Sequence, residues 1–227
     1  CKIYLEDFMP YDLMLEESND FDKRIKNAMS FYSWCASRMI PPDRTYAKEI
    51  LNSIGASQSV TDRERAQIAL SYHCLSLLDV FWVKEENEKI RFEDINLFAH
   101  SLSNALVDIA LRGHQMTVTN AHLLANDLST GGLYPKAWVR KEDGFYLYKD
   151  GGRDAVEREV LASKICRCFD CHQVLYEQGM FENEPVSISK IMTSQRYSLV
   201  TYAAYDVYCT NHDWNTLDKI LELDAPS

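Results

Sequence analysis

Nowhere does the 227-residue chain carry an apolar run of the roughly 18 residues that a membrane span requires. The longest such stretch, AQIALSYHCLSLL (Ala66 to Leu78), falls short and stops at Asp79. A basic excess is missing too: the net charge of −10 argues against nucleic acid as the main partner, because phosphate backbones need a basic face. The cysteines make no disulfide framework, since seven is an odd number and they are scattered from Cys1 to Cys209. Reduced thiols and a cytoplasmic location are the plainer reading. No secretory leader stands at the start; the chain opens at Cys1 without a methionine and reads as a piece of something longer. No GxGxxG and no Walker pattern occurs among its eight glycines.

What is present divides into a helical module, residues 1–120, and an α+β portion, residues 121–227. In the first, Phe21, Ile25, Ala28, Met29, Tyr32, Cys35 and Met39 recur on one face at helical spacing, and Pro41-Pro42 ends the helix. Asp43 caps a second helix that Gly55 stops. Thr61 and Glu64 have the form of a capping box, leading a helix through Ile68, Leu70, Cys74, Leu77 and Leu78. A further amphipathic helix is predicted over Phe92 to Leu111. Beyond Thr117 the pattern changes to short β-prone runs: Ala137 to Arg140 and Phe145 to Tyr148 joined at Glu142-Asp143-Gly144, then QVLYEQ and PVSISKIM. A helix over about Asp154 to Phe169 separates the two pairs, and two short helices follow, one with Tyr202, Tyr205 and Tyr208, one near Leu217.

The stretch STGGLYPKAWVRKEDGFYLYKDGG (Ser129 to Gly152) raises the functional question. Gly131 and Gly132 lack the Cβ that would keep backbone N–H groups from phosphate oxygens, and Lys149 on the return strand would neutralise phosphate charge. A buried lysine needs a carboxylate, and Glu159 or Glu157 on the next helix is in range. On spacing alone, a plain surface hairpin with a solvated lysine is the stronger reading.

Other clusters have ordinary readings beside their chemical ones. Cys166, Cys168, Cys171 and His172 have zinc-ligand chemistry, but residues two apart on a helix diverge by about 200°, so buried small hydrophobes are the better account. The tyrosines of the late helix read as a packing face rather than a stacking platform. Arg38, Asp43 and Arg44 read as a structural ion-pair cluster ahead of an anion site, and Ser33, Cys35, His73 and Cys74 show no nucleophile–base order.

The succession GGLYPKAW, GFYLYK, EREVLASKI and a strand ending in YE resembles the N-terminal lobe of the bacterial HipA-like kinase family, in its phage- and mobile-element-associated branch. The resemblance runs from about Thr130 onward. It implies a small antiparallel sheet with helices of kinase N-lobe type, and ATP with magnesium as the ligand. It places phosphate contact on Lys149, its partner on Glu159, the covering turn on Ser129 to Leu133 with Gly131 and Gly132, and a hinge at Ile191 to Thr193. The family's DRHxxN catalytic loop and metal-binding aspartate have no counterpart. Asp213 and Asn215 in CTNHDWNTLD lie two apart with no arginine before a histidine, and the segment reads as a turn with Asn211 or Asp213 capping a helix. The expectation is an ATP-binding portion of a serine/threonine-kinase-type phosphotransferase that is inactive as this chain and binds ATP weakly, near 1 mM or about 4 kcal/mol. The alternative is a non-catalytic module that binds a protein partner through its helical half.

Overall fold

The computed structural model describes residues 9–45, 47, 51, 61–100, 132–170, 172–181 and 183–223. Its architecture is α+β: helices first, then a four-stranded antiparallel sheet with helices around it. No helix among the described residues is long and apolar enough to cross a membrane.

Helix α1 (Phe21–Ser37) starts where the Asp20 side chain accepts from the Lys23 N–H at 3.1 Å. It packs against α2 (Asp62–Ser71), whose Thr61–Glu64 capping box forms as expected. Three helical expectations need correction. Of the expected apolar face of α1, Cys35 and Met39 are buried as expected, but Phe21, Ile25, Met29 and Tyr32 look outward, and Trp34 and Ala36 enter the core beside Cys35. The second helix ends at Ser71, because His73 and Cys74 both adopt left-handed backbone, with φ of 59° and 55°. Cys74, Leu77 and Leu78 therefore lie past its end. The third, α3 (Phe92–Ile95), is a single turn closed at Asn96. Residues 101–131 lie outside the described residues, as do most of the helix expected after Asp43 and its stop at Gly55.

Strands β1 (Lys136–Lys141) and β2 (Gly144–Lys149) form the expected hairpin. Gly144, at φ 132°, supplies backbone that a side chain would strain. Helix α4 (Arg153–Cys166) follows, then β3 (Tyr176–Phe181) and β4 (Glu184–Lys190). Because β4 inserts beside β2, the sheet order is β1-β2-β4-β3. Helices α5 (Tyr202–Asn211) and α6 (Thr216–Leu223) close the described chain. Tyr205 and Tyr208 pack on Tyr11 with ring centroids 5.5 and 4.5 Å away, while Tyr202 stays exposed.

Side chains alternate across a strand, so register decides which residues share a face. Trp138 opposite Leu147 and Lys136 opposite Lys149 stand on one face, together with Ser187 opposite Lys149 on β4. The helical half covers that face over β1 and β2: Trp138 and Phe145 are buried in one core with Trp34, Met39, Tyr72 and Leu97. Helix α4 lies over β3 and β4. Fully burying each of those aromatic rings is worth roughly 1.5–3 kcal/mol.

One buried ion pair ties the helical half together. Arg38 donates from Nη1 and Nη2 to Asp79 at 2.5 and 2.7 Å and from Nε to the Cys74 carbonyl at 2.9 Å. The expected partner in sequence, Asp43, is exposed and takes no part. With side chains only 8% and 12% exposed, removing one charge leaves the other stranded. Asp79→Ala is therefore expected to cost about 3–5 kcal/mol of stability in a urea melt. A loss below about 1 kcal/mol, the worth of an exposed pair, would show that the bridge is solvated.

Candidate functional site

The seam where the helical half and α4 meet on the sheet holds the lysine singled out in the sequence. Lys149 ends β2 between Lys136 on β1 and Ser187 on β4. Helix α4 turns Val156, Glu159 and Ser163 toward the sheet, at the spacing of one helical face. Ser163 anchors it there by accepting the Tyr176 N–H at 2.9 Å.

Lys149 Nζ donates to Glu159 Oε1 at 3.0 Å and to the Tyr176 hydroxyl at 2.8 Å, and lies 4.5 Å from the Tyr176 ring centroid. The other Glu159 oxygen accepts from the Ser187 hydroxyl. Glu157 is exposed, so of the two carboxylates in range it is Glu159 that pairs. Burial disfavours the charge on Lys149, but the hydrogen bonds it donates to Tyr176 and Glu159 outweigh that and raise its pKa above the ordinary 10.5. The stability this pair contributes is present at neutral pH and lost as pH rises past that ordinary value.

Gly131 lies outside the described residues; Gly132 has φ 99°, and a Cβ there would collide with the Lys136 ammonium. The turn it begins is held from the helical half. Thr45 donates from its backbone N–H and its hydroxyl to the Leu133 carbonyl at 3.0 and 2.9 Å, and Arg44 Nη2 donates to the Lys136 carbonyl at 2.5 Å. Beside Lys149 opens a cavity of about 230 Å³, lined by Tyr134, Lys149, Gly151, Arg158, Glu159 and Ser187 among others.

Sequence reasoning missed Tyr176 and Ser187 as partners of the pair, and Lys136 and Arg44 as neighbours. Lys136 had a usable signal: counting back across the Glu142-Asp143 turn sets it opposite Lys149. The other three depend on folding over long sequence separations.

The remaining candidates fall elsewhere. Cys166 and Cys168 are exposed free thiols, against the expectation of buried hydrophobes, because they sit at the solvent end of α4. Cys171 lies outside the described residues, and among these no group of three His, Cys, Asp or Glu side chains could hold a metal ion. Cys35 and Cys74 are buried against each other, which together with burial pushes the Cys74 thiol up. Asp213 occupies a left-handed turn at φ 56°, and the helix cap is Asn215, whose side chain accepts the Asp218 N–H at 3.1 Å; neither Asn211 nor Asp213 caps α6. The segment Ile191–Thr193 leaves β4 bonded to both halves, through Ile191 N–H to Phe145 O at 2.9 Å and the Thr193 hydroxyl to Leu77 O.

Glu159→Gln keeps the shape of the pair and removes its charge, so that only Tyr176 is left to oppose burial at Lys149. In a ¹³Cε-lysine titration, the Lys149 midpoint is expected to move down. An unchanged midpoint would mean that water, not Glu159, carries the ammonium.

Comparison of the chain with protein-family models, with curated proteins and with solved structures found no match.

Proposed function

We propose that this chain binds the polyphosphate of a nucleoside triphosphate, ATP in the reading its motifs support, as the nucleotide-facing portion of a HipA-like kinase-type phosphotransferase. The observation that carries this is the Lys149–Glu159 pair at 3.0 Å, formed between a strand end and the following helix and lying beside a cavity. Strand lysine with helix glutamate is the device by which kinase-type folds fix phosphate oxygens. The cavity falls below the roughly 300–1,000 Å³ of a pocket for a whole small molecule and suits the phosphate end. Lys149 neutralises phosphate charge, Glu159 and Tyr176 hold its ammonium in place, and the turn beginning at Gly132 lies alongside.

Magnesium would come with the nucleotide. Asp213 and Asn215 are committed to a turn and a cap, and no described cluster has the donor set to hold a metal, so no step is routed through one. Among the described residues no aspartate is placed to take a proton from an acceptor hydroxyl, and the chain by itself is proposed not to transfer phosphate.

A second reading has its own observation. Phe21, Ile25, Met29 and Tyr32 form an exposed apolar strip on α1, 73%, 45%, 67% and 44% accessible, of the kind that docks on a protein partner.

Isothermal titration discriminates between them. ATP is expected to bind with a dissociation constant of about 1 mM; Lys149→Met should abolish the heat, and no phosphate transfer should accompany binding. ATP affinity that survives both Lys149→Met and Glu159→Ala would remove the basis of the nucleotide reading.

A further inference from the structure

Lys149 takes one end of the covered sheet face, and the other end carries a larger opening. Arg140 and Phe145 are cross-strand partners there, roughly 14 Å along β2 from Lys149. Trp138 and Leu147, packed into the helical core, stand between the two ends. The cavity beside Arg140 and Phe145 has about 440 Å³, within the roughly 300–1,000 Å³ of a pocket for a whole small molecule. Its walls come from three parts of the chain: the β1–β2 turn, Phe98 just past α3, and the segment from Ile191 to Arg196 that leaves β4.

Hydrogen bonds fix each wall before any ligand arrives. Arg140 Nη1 donates to Ala99 O at 3.3 Å, and its guanidinium lies 5.5 Å from the Phe145 ring centroid. The Ile191 N–H is bonded to Phe145 O, and the Thr193 hydroxyl donates to Leu77 O. Gln195 Nε2 donates to Oδ1 of the buried Asn96 at 3.2 Å. Ser194 and Tyr197 exchange backbone bonds at 2.9 and 3.3 Å, which closes the turn that presents Arg196. Little ordering therefore remains to be done on binding.

Although the chain is acidic overall, at −10, the described residues lining this cavity include Arg140, Lys141 and Arg196 against a single acid, Glu142. Asp143 of the same turn is bonded to Lys190 and Tyr146. Lys141 alternates to the opposite sheet face, with its ammonium 4.3 Å from the Tyr146 ring centroid. Answering an anion therefore falls to the two arginines. Neither pairs with a carboxylate among the described residues, and beyond the Ala99 bond of Arg140 their guanidinium N–H groups have no hydrogen-bond acceptor there. Arginine forks match the oxygens of a carboxylate or phosphate, while Phe98, Phe145 and Ile191 offer apolar surface beneath them. We propose that this cavity is a second ligand site, which takes a small aromatic anion: its carboxylate or phosphate is held by Arg140 and Arg196, and its flat body lies against Phe98, Phe145 and Ile191. The site uses none of the residues around Lys149 and stands independently of the nucleotide reading.

The test follows chemical shifts of the ¹⁵N-labelled 227-residue chain as naphthoate is added. Naphthyl phosphate, uncharged naphthalenemethanol, and acetate (the anion without the body) are titrated beside it. Naphthoate is expected to shift Phe98, Gly144, Phe145 and Ser194 to Arg196, with a dissociation constant on the order of 1 mM. Naphthalenemethanol and acetate should each bind at least roughly tenfold more weakly, since each lacks half of what the cavity recognises. Arg196→Gln, at an exposed position and with an unchanged melt, should weaken naphthoate roughly ten- to hundredfold, the worth of a charge-assisted hydrogen bond. Tighter binding of naphthyl phosphate than of naphthoate supports the site and makes its ligand a phosphate ester; the reverse order supports it as a carboxylate site. Saturating ATP should leave the naphthoate affinity unchanged, and displacement by ATP would merge the two sites and overturn the proposal. Naphthalenemethanol binding as tightly as naphthoate, or wild-type affinity in Arg196→Gln, would also overturn it. So would shifts that fall along Phe21 to Tyr32 or around Lys149 instead, or none at about 10 mM. ATP binding at Lys149 is read separately, so failure here leaves the nucleotide reading where it stood.

Discussion

Lys149 stands on a central strand with its side chain four-fifths shielded from water, at 21% exposure. A charge in that position has to be met, and Glu159 meets it from α4 while Tyr176 meets it from β3. The requirement reaches well beyond the pair. It fixes the rotation of α4 about its axis, since Val156 and Ser163 must then face the sheet, and Ser163 in turn receives the first N–H of β3. Ser187, buried on β4, is pinned by the remaining Glu159 oxygen. The pair therefore joins three of the four strands, β2, β4 and β3, to the helix α4.

The other half of the same sheet face is closed by the helical half, and the site lies where the two covers meet. Trp138 and Phe145 enter the core of α1 and α2, the Thr45 and Arg44 contacts hold the turn before β1, and the Leu199 N–H, beyond β4 in the chain, donates to Leu78 O at 2.7 Å. The helical half is thus continuous with the sheet in packing and hydrogen bonding. Arg38 and Asp79 stand behind this arrangement, since Arg38 also bonds the carbonyl of Cys74 in the strained corner that ends α2.

Legibility in the sequence tracked how local the controlling physics was. The β1–β2 hairpin was readable because an Asp-Gly between two β-prone runs sets both the turn and the register. Lys149 with Glu159 was readable because a strand end and the second turn of the next helix are close along the chain. The exposed face of α1 was misjudged because periodicity shows which residues share a side and not which side meets a neighbour. The early end of α2 had no signal, since neither His73 nor Cys74 is a residue that announces left-handed backbone as glycine does. Arg38 chose Asp79, 41 residues away, over Asp43 nearby, a preference set wholly by the fold. Tyr176 and Ser187 reach the pair across 27 and 28 residues, and no local pattern marks them.

Chemical-shift mapping of the ¹⁵N-labelled chain on addition of ATP tests the account most directly, because it asks where on the molecule the nucleotide acts. The account predicts that the largest changes fall at Gly132 to Lys136, at Lys149 and on the first turns of α4, with smaller ones at Arg44 and Thr45. Changes concentrated instead along Phe21 to Tyr32 of α1, or none near Lys149 at saturating ATP, would contradict it.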